Sequence, residues 1–160
     1  MDKFNKLSVE NEELFKKVYR EIRQNPRFKE CDKYISHGNT SVKTHVITVT
    51  LLALNLSEKL KIKVDKIKLI RGALLHDFYL YDWHDKKLIE LHGFHHPKKA
   101  VREALKDYNL SEIEIDIIKH HMFPLTYNAP KSREARLLCI ADKICAWGET
   151  VDGKLAYLVS

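Results

Sequence analysis

Residues 64–77 read VDKIKLIRGALLHD. Ile67, Ile70 and Leu74 recur at helical spacing and predict a helix from about Val64 to His76. The apolar run then stops on His76 and Asp77, two adjacent polar groups at the buried end of that helix. Burying such groups without partners is costly. A local cap and a metal ion are both candidate partners.

The same period continues on either side. Val42, Val46, Val49, Ala53 and Leu56 place a helix over about 41–60, opened by Thr40 or Ser41, with His45 on the face of Val49 and Leu52. Residues 8–24 begin with Ser8 as an N-cap, carry Glu10, Glu12 and Glu13 in the first turns, and stop before Pro26. Pro97 opens a helix over 97–108. Ser111 and Glu114 have capping-box spacing and open a helix that reaches His120 or His121 and ends before Pro124. The last strong helix spans about 132–148. Segments 27–40, 77–95 and 124–131 read as irregular, and 149–160 as a tail. The expected fold is all-α, a compact bundle of five to seven helices. It forms one domain over 1–160, with its core at about 37–148 and the N-terminal helix packed on it.

Composition narrows the class. A chain of 160 residues, 44% hydrophobic and 31% charged, can bury a core without staples. Five glycines and four prolines are too few for a turn-rich β sandwich. The net charge of +6 is scattered along helices rather than gathered on one face, so no nucleic-acid footprint is expected. Nothing in the sequence is apolar for long enough to span a membrane or serve as a secretory leader. Three irregularly spaced cysteines do not make a disulfide framework, and a reduced, cytoplasmic protein is expected.

Asp142 interrupts the apolar stretch RLLCIADKICAW, with Leu138, Cys139, Cys145 and Ala146 at helical spacings around it. A carboxylate there needs a cation, an arginine from another helix, or a proton. Nine histidines fall between positions 37 and 121, and two pairs, His95–His96 and His120–His121, stand at predicted helix ends. Together with His45, His76, Asp77 and Asp142 they suggest convergence on metal. Imidazole with carboxylate suits iron, manganese, zinc, cobalt or nickel better than calcium or magnesium. There are more donors than one structural zinc uses, and two ions sharing a carboxylate would employ them.

The ordered set His45, His76–Asp77, His96, His121, Asp142 resembles the HD-domain superfamily of metal-dependent phosphohydrolases. The stretches SHGNTSVKTH, RGALLHDFYLYDWHD, HGFHHPKKA, IIKHHMFP and IADKICA carry the resemblance over about residues 37–148. It implies that His45, His76, Asp77 and Asp142 are the four minimal metal ligands, with one or two divalent ions bound. It further implies that His96 is the fifth ligand and His121 (or His120) the sixth, with Asp77 bridging. No GYP follows the histidine pair and FYLYD follows Asp77, unlike the cyclic-dinucleotide branch.

The implied activity is hydrolysis of a phosphomonoester or phosphodiester of a nucleotide or another small molecule, using metal-activated water. Asp82, His84, His92 and His37 are candidates for carrying the proton. Lys143, Arg71 and Lys98 are candidates for contacting phosphate. Among these, Asp77, Asp82 and Lys143 are expected to act in catalysis, and His37, His92 and Arg71 to contact substrate. Trp83, Phe94, Phe123 and Tyr127 could wall a pocket. The rival readings are a metal- or nucleotide-binding sensor without catalysis, and a di-iron oxygenase on the same ligand set.

Overall fold

The structure, a computed structural model, describes residues 6–79 and 89–151, with 89–94 and 151 described in backbone only. Among these residues there are seven α-helices and one small hairpin, so the fold is all-α. In chain order they are α1 (Val9–Ile22), α2 (Pro26–Glu30), a 3-10 turn (Cys31–Lys33), β1 (Ile35–His37), β2 (Thr40–Ser41), α3 (Val42–Lys59), α4 (Lys66–Leu75), α5 (Ile89–Asp107), α6 (Glu112–His120) and α7 (Arg133–Val151).

Local chemistry sets most helix starts. The Ser8 hydroxyl accepts from the Asn11 amide and that of Ser41 from the Thr44 amide, while the Asp65 carboxylate accepts from the Lys68 amide. Ser111 and Glu114 close a complete capping box. Each such cap satisfies a backbone N–H that a helix start leaves without a partner.

Helix α4 lies among α1, α3 and α6, and α7 packs on α3 and α6. Leu69, Ile70, Gly72, Ala73, Leu74 and Leu75 are all buried, so most of the circumference of α4 faces protein. Ile67, assigned to the apolar stripe from sequence, is instead 50% exposed, because it shares an outward flank with Arg71, four residues on. At Gly72 an added Cβ would lie 2.6 Å from Ile117 Cδ1, so a hydrogen is needed there for α4 and α6 to approach this closely.

Three segments depart from the sequence reading. Residues 26–41 form α2, the 3-10 turn and the β1–β2 hairpin, in which Ile35 pairs with Ser41 and His37 with Thr40. Gly38 turns the hairpin with φ of +56°, and a Cβ on it would lie 2.6 Å from the Glu149 carbonyl oxygen. Helix α5 begins at Ile89, not at Pro97, so Pro97 is an interior residue that leaves one carbonyl of the preceding turn without its amide. Helix α7 continues to Val151, which puts Glu149 on a helix rather than in a tail. Cys31, Cys139 and Cys145 are buried free thiols. Among the described residues no helix is long and apolar enough to cross a membrane.

Candidate metal centre

Five helices bring six side chains to one buried point. His45 lies in the first turn of α3 and Asp142 in the middle of α7. His76 caps the C-terminus of α4, with Asp77 next in the chain, and His121 caps the C-terminus of α6. His96 comes from α5. All six are buried.

Backbone and carboxylate acceptors fix how the rings face. His76 Nδ1 donates to the Ala73 carbonyl at 2.7 Å, and His121 Nδ1 donates to the Ile118 carbonyl at 2.8 Å. Each cap histidine thus satisfies a carbonyl of its own last turn, which would otherwise lack a partner. His45 Nδ1 donates to Glu149 Oε2 at 2.8 Å. These acceptors can only accept, so Nδ1 carries hydrogen in all three rings and Nε2 is turned inward.

The inward atoms fall into two sets. His45 Nε2 lies 3.0 Å and His76 Nε2 3.3 Å from Asp142 Oδ1, and both lie 3.8 Å from Asp77 Oδ2. On the other side, His96 Nε2 lies 3.2 Å and His121 Nε2 3.3 Å from Asp77 Oδ1. The two Asp77 oxygens therefore address different histidine pairs.

This donor set fits a cation. Among the described residues Asp77 Oδ1 is buried with no hydrogen bond of good geometry, although the His96 and His121 rings stand 3.2 and 3.3 Å away. His96 Nε2 and His121 Nε2 stand 2.8 Å apart, a separation at which two lone pairs repel unless a proton or cation lies between them. His45, His76 and Asp142 place one donor atom each within 4.8 Å of one another, and so do His76, Asp77 and His121.

The histidines hold the two buried aspartates ionised. Burial alone would raise the Asp77 carboxyl, but the charge of His76 and contacts with His121 and His96 hold it well below the usual carboxylate range. Burial likewise opposes ionisation of Asp142, and hydrogen bonds to His45 and His76 overcome it. Burial pushes the His45 imidazole down, yet its bonds to Asp142 and Glu149 carry it up to about 10. Burial lowers both His121 and the half-buried His37.

The raised His45 has a measurable consequence. At pH 7 the metal-free ring carries protons on both nitrogens, and a cation at Nε2 must displace one. Metal titration is expected to release a proton from this ring, with affinity rising as pH rises toward 10. Calorimetry in buffers of differing ionisation enthalpy reads this directly, and a heat independent of buffer would refute it. The imidazolium's own contribution to metal-free stability is complete below the ordinary histidine value of about 6.5. It is lost as pH rises through about 10.

A family model for the HD domain matches residues 42–147, which include all six donors. The chain belongs to the HD domain family. HD domains bind divalent metals and are largely metal-dependent phosphohydrolases. Neither the curated proteins nor the solved structures returned a match to the chain.

Around this HD centre the other expected residues divide. His37 stands beside it, its ring centroid 5.1 Å from that of His45. His120 does not join: its Nδ1 donates to Asp116 Oδ1 at 2.6 Å, one turn back on α6. Lys143 Nζ donates to the His121 carbonyl at 3.0 Å and lies 3.1 Å from Cys139 Sγ, so it braces the cap that presents His121. Tyr127, at 97% exposure, walls nothing, and Phe123 is half-buried. Asp82, Trp83 and His84 lie outside the described residues, as do the side chains of His92 and Phe94.

Arg71 requires a correction. Its Nε pairs with Glu114 and its Nη2 donates to the Asn109 carbonyl at 3.0 Å, so the guanidinium ties α4 to the start of α6 and is not turned to phosphate. Glu114 is 3% exposed, and losing its charged partner leaves a buried carboxylate short of a donor. Arg71→Ala is expected to cost about 1–3 kcal/mol in denaturant unfolding while metal content stays at the wild-type level. Loss of metal without loss of stability would restore Arg71 to the site.

Glu149 is the functional residue missed from sequence. It lies seven residues after Asp142, two helical turns along the same face. That spacing was a legible signal, but it required α7 to continue past residue 148.

Proposed function

We propose that this HD domain hydrolyses a phosphate ester of a small molecule, with two divalent transition-metal ions held between the histidine sets. The observation that supports this most is Asp77, one carboxylate whose two oxygens face two histidine pairs. His45, His76, Asp142 and Asp77 Oδ2 would hold one ion, and His96, His121 and Asp77 Oδ1 the other. Iron, manganese, zinc, cobalt and nickel all suit these donors. Such ions supply a water acidified to a pKa of about 7 and positive charge against the phosphoryl oxygens.

The chain's own groups do the rest. The Ala73 and Ile118 carbonyls and the Glu149 carboxylate hold three rings in the tautomer that turns Nε2 inward. Lys143 keeps the His121 cap closed through its carbonyl. Beside His45, His37 would contact the bound substrate.

The test is metal content per chain on protein prepared without chelator, followed by phosphate release with manganese or nickel added. Close to two ions and metal-dependent phosphate release support the proposal. Full occupancy with oxygen consumption and no phosphate release would overturn it in favour of a di-iron oxygenase. Full occupancy with neither activity would overturn it in favour of a sensor.

A further inference from the structure

We infer that the group esterified to the phosphate is apolar, an alkyl or aryl alcohol, and that it occupies a cavity opening directly onto Asp142. This inference rests on the hydrolase reading above and deepens it. The cavity measures about 430 Å³, within the range of small-ligand sites. Met122, Pro124, Leu125 and Ala146 form its apolar walls.

Three polar residues complete the lining, His37, Asp142 and Lys143. Asp142 belongs to the donor set through His45 and His76, so one molecule could place its phosphoryl group at the metal centre and its other end in the cavity. Lys143 already bonds the His121 carbonyl and sits against Cys139 Sγ. Apart from these three, the described walls are carbon, and among the described residues no array of donors and acceptors matches a base edge or a sugar diol. A polar group moved there from water loses hydrogen bonds that the walls do not replace. An apolar group gains, by about fourfold in affinity for each methylene fully buried. Leu125, 49% exposed, offers apolar surface that such a group would cover. The unbranched Met122 can adapt to its shape.

The experiment compares hexylphosphonate, phenylphosphonate, methylphosphonate and adenosine monophosphate on the metal-loaded full chain by calorimetry. The shared phosphoryl head cancels the metal centre, and the hexyl and phenyl arms separate alkyl from aryl sources. Hexyl- or phenylphosphonate is expected to bind at least about thirtyfold more tightly than methylphosphonate, and more tightly than adenosine monophosphate. Ala146→Trp fills the cavity and Leu125→Ser wets an exposed wall where folding is not at risk; in both, the advantage over methylphosphonate should collapse toward one. Equal binding of all three phosphonates, tighter binding of the nucleotide, or an advantage that survives both variants would overturn the inference. Failure of the hydrolase reading looks different: the apolar preference would persist while no ester releases phosphate.

Discussion

In the proposed two-ion centre, Asp77→Asn is expected to lower phosphate release on the order of a thousandfold, and to leave one bound ion per chain or none. The substitution keeps shape and removes charge. In either orientation of the amide, its NH₂ faces one of the histidine sets. A donor then stands where Oδ1 meets His96 and His121, or where Oδ2 meets His45 and His76. One set loses its oxygen outright, and the other keeps only a neutral one. Asp142→Asn makes a controlled contrast, because among the described donor histidines Asp142 pairs with His45 and His76 and not with His96 or His121. It should empty the first set and leave one ion on the second. Elemental analysis gives the count, and circular dichroism checks that helicity is retained. If Asp77→Asn holds two ions, the carboxylate does not bridge.

The helical fold is written locally, which is why the sequence reveals so much of it. Ser8, Ser41 and Ser111 each accept from the amide three residues on, and those starts match the sequence reading to within a residue. The donor residues are legible for a different reason. A carboxylate such as Asp142 among leucine, cysteine and alanine is expensive unless a cation answers it, so it stands out even in one sequence. What escapes notice depends on tertiary contact. Segment 27–40 read as irregular and Pro97 as a helix start, but Gly38 turns a hairpin pressed against the Glu149 backbone, and Pro97 is carried inside a helix that packs on α6. His120 and His121 differ by one position, or about 100° around the helix. What separates them is Asp116, one turn earlier, which takes His120. The orienting acceptors Ala73 and Ile118 act through backbone carbonyls, and no side-chain motif announces them.

Glu149→Ala is expected to weaken metal binding about 10–100-fold, the usual effect of removing a group that orients a ligand histidine. The carboxylate accepts from His45 Nδ1 at 2.8 Å and is itself buried, so without it the ring is free to carry its hydrogen on Nε2, the atom the metal needs. The pH dependence separates orientation from packing. In the wild type the two carboxylates on His45 raise its value to about 10, so at pH 7 a metal competes with a tightly held proton. Removing Glu149 weakens the hold on that proton as well as the grip on the ring. The two losses partly offset at pH 7, and the offset fades as pH approaches 10. The affinity gap between wild type and Glu149→Ala should therefore widen across that interval, while proton release at pH 7 falls. Glu149→Gln restores an acceptor for Nδ1 without the charge, and should recover affinity at high pH more than it recovers proton release. Competition titrations against a chelator at pH 7 and pH 9 make the comparison. An affinity loss of equal size at both, unrelieved by glutamine, would mean that the Glu149 side chain only fills space beside His45.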